Sequence, residues 1–213
     1  MGAVMAAKKI AALLGLAAVA LCAPAPAPGQ LKSVVVHGHA GYAFPEEGNL
    51  RPGFETGFGV AVPFLRQFWL SVEYSHWASA SKTARGLLYG GTVSVSPVIA
   101  CLQYEFLDNR FFVPYTFAGG AFVFARFAIG PLITIPEVKI DQTIENGPSL
   151  YFGLGARLAF SRTASFFSEV SYLHRTAPGT TLIDDMNLGL AEKPIVVNLR
   201  TVFIKFGLKL FVW

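Results

Sequence analysis

The sequence predicts an all-β fold: an eight-stranded antiparallel transmembrane β-barrel of the outer-membrane type. Three observations carry this. Apolar residues alternate with small or polar ones in eight segments, the connections between segments alternate between short and long, and charges are scarce. Of 213 residues, 53% are hydrophobic, 14% are charged and 21 are glycine. A soluble domain carries nearer about 25% charge.

The N-terminus accounts for part of the apolar excess. Lys8 and Lys9 precede an apolar run from Ile10 to Ala23, followed by "APAPAPGQ". A basic head, a short apolar core and small residues describe a secretory signal peptide. The run is short for a membrane span. Residues 1–29 are therefore read as the signal peptide and 30–213 as the barrel. Ala27 and Gly29 have the spacing for cleavage before Gln30, while Cys22 as a lipid-modified first residue is the alternative. Cleavage removes two positive charges from a net charge of +4, which excludes a strongly basic nucleic-acid binder. Cys101 is left without a partner, so no disulfide framework is expected.

The eight segments are 33–44, 54–64, 68–77, 92–106, 111–125, 149–161, 165–175 and 195–213. In the second, Phe54, Phe58, Val60, Val62 and Phe64 share one side with Thr56, and Glu55, Gly57, Gly59 and Ala61 occupy the other. This is the period of a strand. "LRQ", "LDNR" and "RTA" are short connections, whereas long ones follow Phe44, Trp77, Ala125 and Arg175. Tight turns at one end and long loops at the other are the plan of outer-membrane barrels. An even strand count puts both termini on the turn side, hence in the periplasm.

A soluble barrel turns its apolar side inward; a membrane barrel turns it to lipid. Charges here share a side with glycines: Glu55 with Gly57 and Gly59, Arg157 with Gly153 and Gly155, Lys205 and Lys209 around Gly207. That combination suits a crowded lumen. The last segment, "FIKFGLKLFVW", carries the apolar stripe Val202, Ile204, Phe206, Leu208, Leu210 and Val212. It is expected to close the barrel against the first strand, leaving no open edge in hydrocarbon. Trp213 falls on the lysine side of this strand.

The stretch "VSPVIACLQYEFLDNRFFVPYTFAGGAFVF", Val95 to Phe124, resembles the outer membrane protein W family. The family pattern is a proline-containing strand ending in LQY-x-F, a short turn, then a PY-x-x-G-x-G-like strand. Leu102, Gln103, Tyr104 and Phe106 match its first part, and Pro114, Tyr115 and Gly119 its second; Gly119 and Gly120 depart by being adjacent. The resemblance implies a small barrel linked to passage of small hydrophobic molecules. The outer membrane protein A and X types, structural or adhesive proteins, fit the same outline.

Parity directs Glu55, Glu73, Glu169, Arg157, Lys205 and Lys209 into the lumen. Gln103 and Glu105 join them if a bulge near Pro97 shifts the register, because Val93 and Val95 are the apolar positions before it and Leu102, Tyr104 and Phe106 after it. Buried acids and bases should pair, so Glu73 and Glu169 are expected on some of Arg157, Lys205 and Lys209. This is either a structural plug or a gated ion path. His37 and His39 point inward without an evident third ligand, so no metal or cofactor site is expected. His76 and His174 have the apolar parity, and Ser75 and Ser171 the opposite one. No motif joins them, so no enzyme is expected, and these histidines are placed at headgroup level with Tyr74, Tyr172 and Trp77.

Pro97 has no N–H for a ladder. A turn at Asp108–Asn109 places it across from Gly120 and beside Gly119, which predicts a lateral portal between strands four and five; the competing reading is a register device. The apolar segment from Phe127 to Pro148 is expected to fold over the mouth. The expected function is passive passage of small hydrophobic molecules with weak ion conductance. The alternative is a surface protein whose long loops bind a host or other external ligand. Outer-membrane lipid is the partner in both.

Overall fold

The computed structural model describes residues 34–46, 50–65, 67–80, 91–106, 111–129, 138–185 and 189–212. The expected signal peptide, Cys22, Gln30 and Trp213 lie outside these residues. Eleven strands follow in order: β1 (Val34–Pro45), β2 (Gly53–Leu65), β3 (Phe68–Ala80), β4 (Gly91–Glu105), β5 (Phe112–Ile129), β6 (Val138–Ile144), β7 (Gly147–Ala159), β8 (Ala164–His174), β9 (Thr176–Asp185), β10 (Gly189–Asn198) and β11 (Thr201–Val212). Eight of them form a closed antiparallel barrel in the order β1-β11-β8-β7-β5-β4-β3-β2, and β10-β9-β6 form a separate sheet. The predicted barrel is the observed one.

Closure rests on β1 and β11, which pair without a break from Val34↔Val212 to Pro45↔Thr201. Every barrel strand therefore has two neighbours, as hydrocarbon requires. The outward face is apolar: Phe54, Phe58, Leu150, Leu154, Phe206, Leu208 and Leu210 are all more than half exposed. Exposed aromatics ring the turn end at Phe64, Phe106, Phe111, Phe112 and Phe160, and the other end at Tyr42, Phe44 and Phe152. Such girdles mark the two interfaces of a membrane barrel.

Four expectations need correction. The closing strand does not start at Ile195. Ile195–Asn198 pair with Gly179–Thr176 in the extra sheet, and a short break at Leu199 and Arg200 precedes β11. Apolar residues run through both strands, so periodicity alone did not mark the break. The Phe127–Pro148 segment is not simply a loop: it contains β6, and Phe127 packs on the apolar core. Finally, β4 has no bulge near Pro97. Its register is constant against β5, from Gly91↔Ile129 to Glu105↔Tyr115, and unchanged against β3 on both sides of Pro97. The register shift lies in β2, between Pro63 and Leu65. Val93 and Val95 point inward together with Ile99, Cys101 and Gln103, all buried. Apolar side chains on both faces hid this, because the lumen at the long-loop end is itself apolar. Trp77 belongs to it, fully buried instead of interfacial.

The two glycines of β5 occupy different environments. A Cβ on inward Gly119 would collide with the Ala100 carbonyl oxygen across the ladder, whereas one on Gly120 meets nothing nearer than Ser149 O at 3.8 Å. Gly119→Ala should therefore destabilise the barrel by about 1–3 kcal/mol, as overpacking does. Gly120→Ala should stay within about 0.5 kcal/mol. Unfolding in detergent, followed by the mobility shift between unboiled and boiled samples, distinguishes the two.

Candidate functional site

The lumen is assembled from rows running across neighbouring strands. His37 of β1 faces Gly59 of β2, which faces Glu73 of β3; His39 faces Gly57, which faces Ser75. On the other side of β1, Lys209 lies beside His37, Gly207 beside His39 and Lys205 beside Gly41. Long side chains thus alternate with glycines. The imidazoles lie over those glycines: a Cβ would stand 2.6 Å from His37 Nε2 at Gly59 and 2.5 Å from His39 Nε2 at Gly57.

The charges pair closely. Lys205 Nζ donates to Glu73 Oε1 at 2.5 Å and stands 3.5 Å from Glu55 Oε1. Glu55 Oε1 also lies 3.0 Å from His39 Nε2 and accepts from the Ser75 hydroxyl. Glu73 Oε2 is 3.5 Å from His37 Nε2. One layer nearer the turns, Glu169 accepts from Tyr115 Oη at 2.7 Å and stands 3.9 Å from Lys209 Nζ. The Lys209 ammonium lies over the Tyr115 and Phe167 rings, at 4.3 and 4.8 Å from their centroids. Arg157 goes elsewhere: its Nη2 is 3.3 Å from both oxygens of Glu105. Glu105 reaches the lumen without any bulge. A cavity of about 20 Å³, lined in part by His37, Glu73, Gln103 and Lys209, is left between these layers, room for roughly one water.

Towards the long loops the lumen changes character. Trp77, Val93, Val95, Val123, Leu173 and Phe203 fill it and are buried, and the cluster continues into Ile144, Ala177, Ile195 and Val197 of the extra sheet. The lumen is therefore a charged lower storey beneath an apolar upper one. At the rim, Arg175 donates to the carbonyls of Pro148 and Glu145, each at 2.7 Å. It ties the extra sheet to the barrel mouth, a role that sequence inspection did not assign.

The wall around Pro97 differs from expectation. Pro97 faces Val123, and Gly120 faces Ala100, three positions away from the predicted register. The β4–β5 ladder is continuous there. Pairing lapses instead between β3 and β4: it runs to Tyr74↔Val98 and resumes at Trp77↔Val95, skipping Ser75, His76, Ser96 and Pro97. The missing N–H of Pro97 accounts for the gap. His76 Nδ1 and Ser96 Oγ, 2.9 Å apart, bridge it from outside. His76 and His174 are exposed on the outer face, whereas Ser75 and Ser171 are buried in the lumen. The wall separates these histidines from these serines, so they form no nucleophile–base pair.

The third neighbour that His37 and His39 lacked is Glu73. One ring nitrogen of each histidine and a Glu73 carboxylate oxygen lie within 4.8 Å of one another. Sequence inspection missed it because Glu73 sits two strands away and reaches over Gly59.

No family model matches the chain, and no curated protein does. Solved structures do match. The outer membrane protein OprG from Pseudomonas aeruginosa is 13% identical with a TM-score of 0.65, covering 86% of this chain and 97% of its own. Neisserial surface protein A is 15% identical with a TM-score of 0.55, covering 83% and 96%. A major outer membrane protein from Thermus thermophilus is 13% identical with a TM-score of 0.53, covering 84% and 98%. The fold is that of bacterial outer-membrane β-barrels.

The Lys205–Glu73 contact gives a direct test of the lumen network. Lys205→Glu should destabilise the barrel by about 3–5 kcal/mol by leaving buried charge uncompensated. Adding Glu73→Lys should recover part of that loss. Strictly additive losses in a double-mutant cycle of detergent unfolding would argue against direct coupling.

Proposed function

We propose that this outer-membrane barrel admits small hydrophobic molecules at its long-loop end and releases them sideways into the membrane, with its turns and both termini in the periplasm. The observation that supports the reading is the lapse in the β3–β4 ladder at Pro97, which adjoins the apolar upper storey of the lumen. An apolar solute is compatible with a space bounded by Trp77, Val93 and Val95. It is not compatible with the charged storey below, where Glu55, Glu73 and Lys205 would lose partners to it. Lateral release avoids that layer. The upper storey is filled by its own side chains, so passage requires them to part, and Trp77, beside the gap, is the natural gate. The paired charges and the small cavity below limit ion conductance to a low level.

A second reading is favoured by the extra sheet. Strands β6, β9 and β10 stand on the mouth, held by Arg175 and by a core shared with the barrel. A paired platform of this kind suits binding of an external ligand.

Flux of a hydrophobic tracer into proteoliposomes separates the two, since the surface reading predicts none above empty vesicles. Under the transport reading, Pro97→Val restores an N–H facing β3 and should lower tracer flux several-fold while leaving ion conductance nearly unchanged. A folded Pro97→Val barrel with undiminished flux would rule out the β3–β4 exit.

A further inference from the structure

We propose that His37, His39 and Glu73, with Glu55 alongside, form a lumenal binding site for a divalent transition-metal ion of the zinc class. Imidazole nitrogen and carboxylate oxygen are the donors such ions take, at about 2.0–2.2 Å. Two donors on a tetrahedral ion at that distance stand about 3.4 Å from each other. Here His37 Nε2 is 3.5 Å from Glu73 Oε2, His39 Nε2 is 3.6 Å from Glu73 Oε1, and His39 Nε2 is 3.0 Å from Glu55 Oε1. These three separations are near the edge lengths of a coordination polyhedron, and the whole His37–His39–Glu73 set lies within 4.8 Å, so binding draws the donors together.

Three further observations describe the site: room for the two rings, an acceptor left unmet and a small cavity at one side of it. Both rings are seated on Gly57 and Gly59, in space that any side chain on β2 would take. Glu55 Oε2 is sealed from solvent and has no hydrogen-bond partner among the described residues. A water-sized cavity touches His37 and Glu73 directly. All three proposed ligands are buried and carried on paired strands of a closed barrel, so the donor geometry is held by the scaffold and not by mobile loops.

Two features keep the affinity below that of a closed structural zinc site. The Lys205 ammonium already rests on Glu73 Oε1 and near Glu55 Oε1. It occupies the carboxylate edge that the metal needs and must give way; the Tyr151 and Phe203 rings that it already lies over, at 5.3 and 5.6 Å, remain to hold it. In addition, neither His37 Nδ1 nor His39 Nδ1 has a hydrogen-bond partner among the described residues, whereas metal-bound histidines ordinarily donate from the second nitrogen. The metal and the lysine therefore compete, and this gives the site a signature that a salt-bridge plug lacks.

The test uses the folded, tag-free barrel in detergent, titrated with Co²⁺ and read by visible absorption. The expected result is a ligand-field band that saturates at one ion per barrel and is lost on adding Zn²⁺. The band should vanish in a folded His37→Gln/His39→Gln barrel and survive unchanged in His76→Gln/His174→Gln, which removes the exposed histidines. Glu55→Gln should weaken binding by about 10- to 100-fold. Lys205→Met should bind more tightly than the native chain, and weaker binding would overturn the competition with lysine. If Lys205→Met does not fold, the native chain and the double-histidine variant decide the matter alone. A native barrel with no band, or a band that persists in His37→Gln/His39→Gln, overturns the site.

Discussion

The constraint on which the rest of this molecule depends is that backbone polar groups in hydrocarbon need partners within the protein. Pairing of β1 with β11 meets it by closing the sheet. Closure at eight strands has a second consequence: the interior is only wide enough for side chains to fill. Each inward residue must therefore fit those across the lumen. Gly57 and Gly59 leave the space that the two imidazoles take, Gly207 leaves that of the Phe167 ring, and at Gly41 the backbone of β11 itself stands too close for a side chain. The glycines and the charges share a face because each makes the other possible.

The lumen's two storeys follow from the same confinement. Charges that cannot reach water must satisfy each other, and Glu55, Glu73, Lys205, His37 and His39 do so within one compact group. Lys209 adds a different solution, an ammonium stacked between the Tyr115 and Phe167 rings near Glu169. Above them no charge is needed, and Trp77, Phe203 and the valines of β4 and β5 fill the space. That apolar layer continues into the base of the extra sheet, so barrel and sheet share a core.

Pro97 is the one inward position in β4 that cannot donate to the wall. Its effect is local because register is kept on both flanks, and the β4–β5 ladder passes it undisturbed. The closed barrel tolerates the lapse by placing His76 and Ser96 across it. A seam with side-chain bridging is weaker than a continuous ladder, which is why the proposed exit is assigned there.

By itself the sequence determined the strand type, the number of barrel strands, the inward charges and the closing role of the last strand. All of these are read along one strand, where a period of two assigns each residue to a face. What only the tertiary structure decided are relations between strands. Pro97 faces Val123 through a hairpin register three positions from the one expected of a turn at Asp108–Asn109, residues that lie outside those described. Lys205 meets Glu73, 132 residues away, because closure brings β11 around to β1. Arg157 takes Glu105, and Glu73 approaches both histidines over Gly59. Val93, Val95 and Trp77 were unreadable for another reason: where the lumen is apolar, inside and outside favour the same residue types. The β6–β9–β10 sheet was hidden because its strands continue the composition of the loops and of the barrel strand beside them. Periodicity is a property of a single strand, whereas partners, register and layer are set by how the closed sheet staggers its strands.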